Sequence, residues 1–239
     1  MLAPAWRGTS MVLVVLVAAA ACAKTHPPEL LYASKYDRDA ELCRNAEGES
    51  AIDACRRVVE RASPFRWPGW PAGAAFVYVL RGSHAIVLAQ RLVRADRVAE
   101  ALDAANTALD LLARSRDSFA GNSQDAYARQ FAGAWRIQGA SAHAVASLSL
   151  MRLHRWDEAT QRLRQVVSGL PDRAIVWGAL GVAANQAGRF EESAAAFAKA
   201  NELDGAYFSG ERRSQRDIWR ASQQGRRFEA VTFQDELLL

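Results

Sequence analysis

Small and apolar residues recur three and four positions apart through two consecutive blocks of the chain, residues 140–173 and residues 174–207. The two blocks align without a gap, at a period of 34. This spacing is typical of one face of an α-helix, so each block is predicted to be a pair of antiparallel helices. The aligned positions share small or apolar character: Ala146 with Leu180, Ser147 with Gly181, Ala159 with Ser193, Leu163 with Phe197, and Val166 with Ala200.

Within the second block, we predict a first helix from about Ala174 to Gln186 and a second from near Glu191 to Leu203, with a turn between them. Small residues stand where the two helices must approach most closely, at Gly181 and Ser193. Larger residues fill the remaining space, which is the alternation that close helix packing requires.

The same pattern extends in both directions, with insertions. Residues 82–115 are predicted to form an upstream pair at an offset of 58 from residues 140–173, so about 24 residues around 114–139 are additional, a loop plus an extra helical stretch. Residues 30–64 are predicted to be a degenerate pair. Residues 209–225 are predicted to form a capping helix, because the last pair of a solenoid has no neighbour to cover its apolar side.

The block with Trp177, Leu180-Gly181, Phe197 and Ala200 resembles the tetratricopeptide repeat, and the other blocks resemble it more loosely. The resemblance implies an all-α, right-handed solenoid of antiparallel helix pairs, with residues 23–239 as a single domain. A generic helical bundle is the structural alternative. Proteins of this family bind segments of other proteins in a concave groove.

The N-terminal segment is typical of an export signal. Arg7 precedes an apolar run from Met11 to Ala21, which is shorter than the about 20 residues that a membrane-spanning helix needs. The following Ala19-Ala20-Ala21-Cys22 resembles the lipobox of bacterial lipoproteins, which implies that residues 1–22 carry the signal and that Cys22 is lipidated. Ordinary cleavage after Ala23 is the alternative. We therefore expect a lipoprotein facing the periplasm, with the outer membrane favoured, or else a soluble periplasmic protein.

The remaining two cysteines, Cys43 and Cys55, lie twelve residues apart across a turn-like stretch between two helical patterns. An exported protein meets an oxidising compartment, and two antiparallel helices would bring the thiols close together. A disulfide is therefore predicted, with two inert buried thiols as the alternative.

Charge and aromatic content suggest no nucleic-acid partner. The formal net charge is +4, and the densest arginine cluster, around Arg212 to Arg227, is diluted by acidic residues, as expected for a solvated terminal helix. A loop at residues 63–73 contains Trp67 and Trp70. These tryptophans either cover the seam between the first two helix pairs or contact a partner or a membrane interface.

No catalytic or metal-binding motif is present. The sequence has no glycine-rich phosphate loop, no G-x-S-x-G and no H-E-x-x-H, and His143 and His154 are too far apart along a helix to bind one metal. The acidic pairs Asp157-Glu158 and Glu191-Glu192 occupy equivalent positions at helix starts, where they favour the positive end of the helix dipole. We expect neither enzyme activity nor a cofactor.

The resemblance places the groove on the first helix of each pair. The groove positions are mixed basic, polar and apolar: Gln90, Arg94, Leu148, Met151, Arg152, Val182, Asn185 and Gln186. Such a groove suits an acidic and partly apolar segment of another protein. The sequence thus favours a scaffold or assembly factor of the bacterial envelope, and the alternative is an extracytoplasmic binding protein for a small molecule or glycan, with an aromatic cavity near Trp67, Trp70 and Trp135.

Overall fold

The computed structural model describes residues 34–61, 71–118, 126–209 and 212–229. All secondary structure in these ranges is helical, which confirms the predicted all-α class. The helices lie in the following order: α1 Ser34–Asn45, α2 Gly48–Glu60, α3 Pro71–Arg94, α4 Val98–Asp117, α5 Ala126–Arg152, α6 Trp156–Gly169, α7 Ala174–Gln186, α8 Phe190–Leu203 and α9 Arg213–Gln223. The chain divides into two compact units at Asp39, and of the first unit only the start of α1 is described.

The second unit is a succession of helix pairs. Contacts are densest within the pairs α3–α4, α5–α6 and α7–α8, and each pair also packs on the next. The main core cluster runs from Cys43 to Ile218, and a smaller one around Ile86 and Leu111 lies in the α3–α4 region. This is the packing expected of a helical-repeat solenoid, in which each pair buries its apolar side against its neighbours.

Three turns between paired helices have the same backbone geometry, at the offsets that the sequence predicts. The N–H groups of Arg97, Arg155 and Arg189 each donate to a carbonyl five residues earlier, at 2.8 Å. The residue before each arginine has a positive φ: 58° at Asp96, 57° at His154 and 76° at Gly188. This is the Schellman motif that ends a helix. The second, third and fourth pairs are therefore true structural repeats.

The small residues lie at the closest helix contacts, as predicted. Ser193 is fully buried, and its Oγ donates a 2.6 Å hydrogen bond to the carbonyl oxygen of Gly181. A Cβ atom built on Gly181 would lie 2.7 Å from ring carbons of Phe197. Only glycine allows α7 and α8 to approach this closely.

Acidic residues at the starts of the second helices form ion pairs between repeats. Arg189 Nη2 lies 2.8 Å from Asp157, and Arg164 Nε lies 2.7 Å from Glu192. The sequence-based interpretation assigned these carboxylates to the helix dipole alone. In the structure they also connect α6 with α8, through exposed pairs that contribute little individually.

Cys43 and Cys55 form a disulfide, as predicted, with 4.6 Å between their Cα atoms. It joins α1 to α2, and both cysteines are fully buried. Nearby, Asp39 pairs with Arg57 at 3.0 Å and with Arg61 at 2.9 Å. The first helix pair is therefore held by one covalent and two ionic links.

The additional residues upstream of residue 140 mostly lengthen existing helices. We predicted a loop plus an extra helical stretch, but α4 continues to Asp117 and α5 already begins at Ala126. The two extensions pack together, because Trp135 donates from Nε1 to Ser115 Oγ at 2.9 Å, and Ser115 donates to the carbonyl oxygen of Ala75. Similarly, α3 begins at Pro71, inside the predicted 63–73 loop. The signal segment, Cys22, Trp67 and Trp70 lie outside the described residues.

Candidate partner-binding groove

The predicted groove positions lie near the ends of α3, α5 and α7. Because the three turns superimpose, Arg94, Arg152 and Gln186 are equivalent residues, and each is the last residue of its helix. Arg94 is exposed and Gln90, one helical turn earlier, is half-buried. We call the line through Arg94, Arg152 and Gln186 the groove line.

The apolar part of the predicted groove is wrong. Leu148, Met151 and Val182 are 0%, 2% and 5% exposed and belong to the core cluster. The reason lies in the packing of the first helices. α5 contacts α3, α4 and α6, and α7 contacts α6, α8 and α9, so neighbouring helices cover the sides that carry these residues. These three side chains stabilise the fold and offer no open contact surface.

Arg152, which was predicted to contact a partner, also makes contacts within the fold. Its side chain is 22% exposed, and its Nη1 donates to the carbonyl oxygen of Val93 at 3.0 Å. The same nitrogen lies 3.6 Å from Asp96 Oδ1. Arg152 therefore connects the end of α5 to the end of α3, and its charge cannot be reversed without a cost in stability.

Asn185 and Gln186 contact the chain's own residues 226–228. Asn185 donates from Nδ2 to the carbonyl oxygen of Arg226 at 3.0 Å, and its Oδ1 accepts from the N–H of Phe228 at 2.9 Å. Gln186 donates from Nε2 to the carbonyl oxygen of Phe228 at 2.6 Å. Both side chains were predicted to contact a partner, but in the structure they hold backbone groups of the same chain. We call this arrangement the amide clamp.

A buried polar network fixes the position of the clamp. Asn185 is fully buried, and its Nδ2 also donates to Ser222 Oγ at 2.9 Å. Ser222 Oγ lies 2.7 Å from Ser193 Oγ and donates to the carbonyl oxygen of Ile218. The network joins α7, α8 and α9. A satisfied buried network of this kind specifies one arrangement of the helices.

The segment that the clamp holds was missed in the sequence. α9 ends at Gln223, and Gly225, with φ of 66°, turns the chain back toward α7. The N–H of Arg226 donates to the carbonyl oxygen of Ala221 at 3.0 Å, so this turn repeats the motif of the three earlier ones. The only sequence signal was Gly225, which indicates a turn after α9 but does not identify what the chain contacts next.

The described part of the chain shows an open depression elsewhere, between the turn after α3 and the turn after α5. It has a volume of about 820 Å³ and contains Asp96, Arg97, Glu100, Arg152, Leu153 and His154 among its lining residues. No tryptophan lines it. Trp135, one of the residues proposed for a ligand cavity, is instead stacked on Phe131 and hydrogen-bonded to Ser115.

Two histidines have pKa values lowered by their surroundings. Burial, reinforced by the charge of Arg162, lowers the pKa of His143 from 6.5 to about 4. Burial also lowers the pKa of His84, against a hydrogen bond to the carbonyl of Leu80 that raises it and the charge of Arg44 that lowers it further. Both rings are therefore neutral near pH 7. In the described residues no group of three or more His, Cys, Asp or Glu side chains could hold a metal ion.

In the ranges that the structure describes, no helix is both long and apolar enough to cross a membrane.

No family model matches the chain, and no curated protein matches it. Among solved structures, the chain is similar to one named MamA MSR-1 C2, with 17% sequence identity and a TM-score of 0.32, over 72% of this chain and 95% of that chain. The all-helical repeat architecture rests on the helices and turns described above.

Proposed function

We propose that this protein is an exported, lipid-anchored scaffold of the bacterial envelope that binds an extended segment of a partner protein along the groove line and catalyses no reaction. The observation that carries the proposal is the amide clamp. It is an example, within this chain, of a backbone segment held by side chains at the end of one first helix, α7. Recognition of this kind needs main-chain hydrogen bonds and few particular side chains.

The helix pairs support the assignment of the repeats to the tetratricopeptide type. The 34-residue period and the aligned Trp177, Gly181 and Phe197 agree with the positions of the Schellman turns. Repeats of this type receive peptides on the side formed by their first helices. We therefore place the partner segment on the side of this chain that its first helices form.

Export is supported by two independent features. The apolar run before Cys22 is typical of a secretory signal, and the buried Cys43–Cys55 disulfide suits an oxidising compartment. Lipidation of Cys22 would hold the helical domain at the membrane surface. A metabolic palmitate analogue should label the wild-type protein and leave Cys22→Ser unlabelled. A soluble wild-type form that begins at Lys24 would contradict the anchor.

The charge on the groove line indicates the chemistry of the partner. Arg94 is exposed at the end of α3, and Arg91, one turn earlier, is close enough that its pKa is lowered by burial and by the charge of Arg94. A guanidinium group binds a carboxylate through two parallel hydrogen bonds. We therefore expect an acidic partner segment.

The test compares two charge reversals of equal size. Arg94→Glu changes the groove line, while Lys199→Glu changes α8, where Lys199 pairs with Glu202 at 2.6 Å. Each protein is captured from solubilised envelopes, and the co-purifying proteins are quantified by mass spectrometry. We expect Arg94→Glu to lose a partner that the wild type and Lys199→Glu retain. Equal recovery with both variants would contradict the groove line as the binding site.

A further inference from the structure

In two of the three steps between repeats, the arginine before a second helix pairs with the second residue of the preceding second helix. Arg97, before α4, donates from Nη1 to Glu49 of α2 at 2.9 Å. Arg189, before α8, donates from Nη2 to Asp157 of α6 at 2.8 Å. The Schellman turns give these arginines and Arg155 the same backbone setting. The ion pairs are therefore equivalent links between successive repeats.

The step between α4 and α6 lacks this link. The second residue of α4 is Ala99, which is exposed and has no carboxylate to offer Arg155. Arg155 pairs with Glu158 of its own helix, from Nε at 2.6 Å and from Nη2 at 2.7 Å. In the part of the chain that the structure describes, its Nη1 makes no hydrogen bond.

Arg97 shows that this arrangement accommodates a second carboxylate. Its Nε and Nη2 donate to Glu100, three residues later, at 2.7 and 2.8 Å, as those of Arg155 do to Glu158. Its Nη1 is then the atom that binds Glu49. Hydrogen bonds from the two carboxylates of Glu100 and Glu49 raise the pKa of Arg97. Among the described residues, Glu158 is the one carboxylate that raises the pKa of Arg155.

The open depression lies at the step that lacks the link. Ala99 lines it on one side, and Leu153 and His154, the residues just before Arg155, line it on the other. The two acidic residues in the lining are each paired with an arginine of the lining. Leu153 is 39% exposed and adds an apolar surface. Arg152 is also in the lining, so the depression adjoins the groove line.

We propose that an acidic side chain of the partner segment binds in this depression, where it takes the position that Glu49 and Asp157 hold in the other steps and accepts a hydrogen bond from Nη1 of Arg155. The inference rests on the proposed function, because the side chain belongs to the segment on the groove line. A charge-assisted hydrogen bond to a fixed guanidinium sets the register of the segment as well as attracting it. Exposed Leu153 suits an apolar residue next to the acidic one.

The position is tested without a partner by supplying the missing carboxylate from the chain itself. Ala99→Glu should pair with Arg155 and melt about 1–3 °C above Ala99→Gln, which has the same size and no charge. In an Arg155→Gln background this advantage should fall to the small contribution of the helix dipole. No advantage, or an equal advantage in both backgrounds, would overturn the assigned position.

Binding is tested on the purified full-length protein with two short fluorescent peptides, in which leucine alternates with glutamate or with glutamine. Fluorescence anisotropy should show that the glutamate peptide binds several-fold more tightly. Ala99→Glu should weaken its binding several-fold more than Ala99→Gln does, because the chain's own carboxylate then occupies the position.

The outcomes separate this inference from the proposed function. Glutamate-peptide binding that Arg94→Glu weakens and Ala99→Glu leaves unchanged would overturn the inference while the groove line stands. Binding that neither variant weakens would contradict both. No preference for the glutamate peptide over the glutamine peptide would also overturn the inference.

Discussion

Asn185 binds Phe228 by accepting the Phe228 backbone N–H at Oδ1, 2.9 Å away, while its own Nδ2 donates to the carbonyl oxygen of Arg226. One fully buried amide side chain thus satisfies two backbone groups of residues 226–228. An amide has both a donor and an acceptor end, so this single side chain fills both roles. We expect the stability of the C-terminal end of the repeat array to depend on this contact.

Asn185→Ala should destabilise the protein by about 1–3 kcal/mol, because it leaves buried hydrogen-bonding groups without partners. Chemical denaturation followed by circular dichroism measures the effect. The matched control is Asn201→Ala on α8, where the asparagine is only half-buried, and it should change stability by less than about 0.5 kcal/mol. Equal losses in the two variants would show that the clamp does not stabilise the fold.

Gly181→Ala should destabilise the α7–α8 contact, because the new Cβ would lie 2.7 Å from the ring of Phe197. Overpacking of this kind costs about 1–3 kcal/mol. The control is Gly133→Ala on α5, where a Cβ would meet no atom within 4 Å. Since alanine favours a helix over glycine, that variant should gain up to about 1 kcal/mol. The melting temperatures of the two variants, compared with wild type, test both expectations. A Gly181→Ala protein that melts at a higher temperature than wild type would contradict the close packing of α7 and α8.

Stability should fall as the pH falls from 6.5 toward 4, in part because of His143. Its pKa is 6.5 in the unfolded chain and about 4 in the folded protein, so over this window the unfolded chain binds the additional proton. The contribution is fully present above pH 6.5 and is lost as the pH decreases through the folded value. Removing the titrating ring in His143→Gln should give a shallower decline of melting temperature between pH 7 and pH 4.5. Parallel curves for wild type and variant would contradict the lowered pKa.

Reduction of the Cys43–Cys55 disulfide should destabilise the N-terminal helix pair. The bridge closes a loop with a sequence separation of 12, for which the expected contribution is about 2–4 kcal/mol. Melting curves with and without a reductant measure this, and Cys43→Ser combined with Cys55→Ser is the control that should no longer respond to the reductant. A wild-type protein whose melting is insensitive to reduction would contradict the prediction.

The sequence predicts the repeats well because their determinants are local and periodic. The turn at Gly188 is visible as a glycine, and the offsets of 34 and 58 place the equivalent turns at Asp96 and His154, whose residue types alone do not indicate a positive φ. The small-residue contact between Gly181 and Ser193 follows from the same alignment. Helix lengths were harder, since nothing in the pattern distinguishes the extension of α5 from a separate helix.

The groove was predicted less well, for a reason specific to its residues. Repeat position alone assigns Leu148 and Met151 to an open surface, but both are buried among neighbouring helices. The contacts of Asn185 with Arg226 and Phe228 span 41 and 43 residues. Pairings at that separation have no periodic signal in a single sequence, so the clamp becomes visible only in three dimensions.

The most direct test of partner binding on the groove line is site-specific photo-crosslinking in the cells that make this protein, with the cross-linking residue at Gln90, one turn before Arg94. The expected result is a covalent adduct with another envelope protein that disappears when Arg94→Glu is added and persists when Lys199→Glu is added. An adduct that survives Arg94→Glu, or the absence of any adduct at Gln90, would contradict binding at this site.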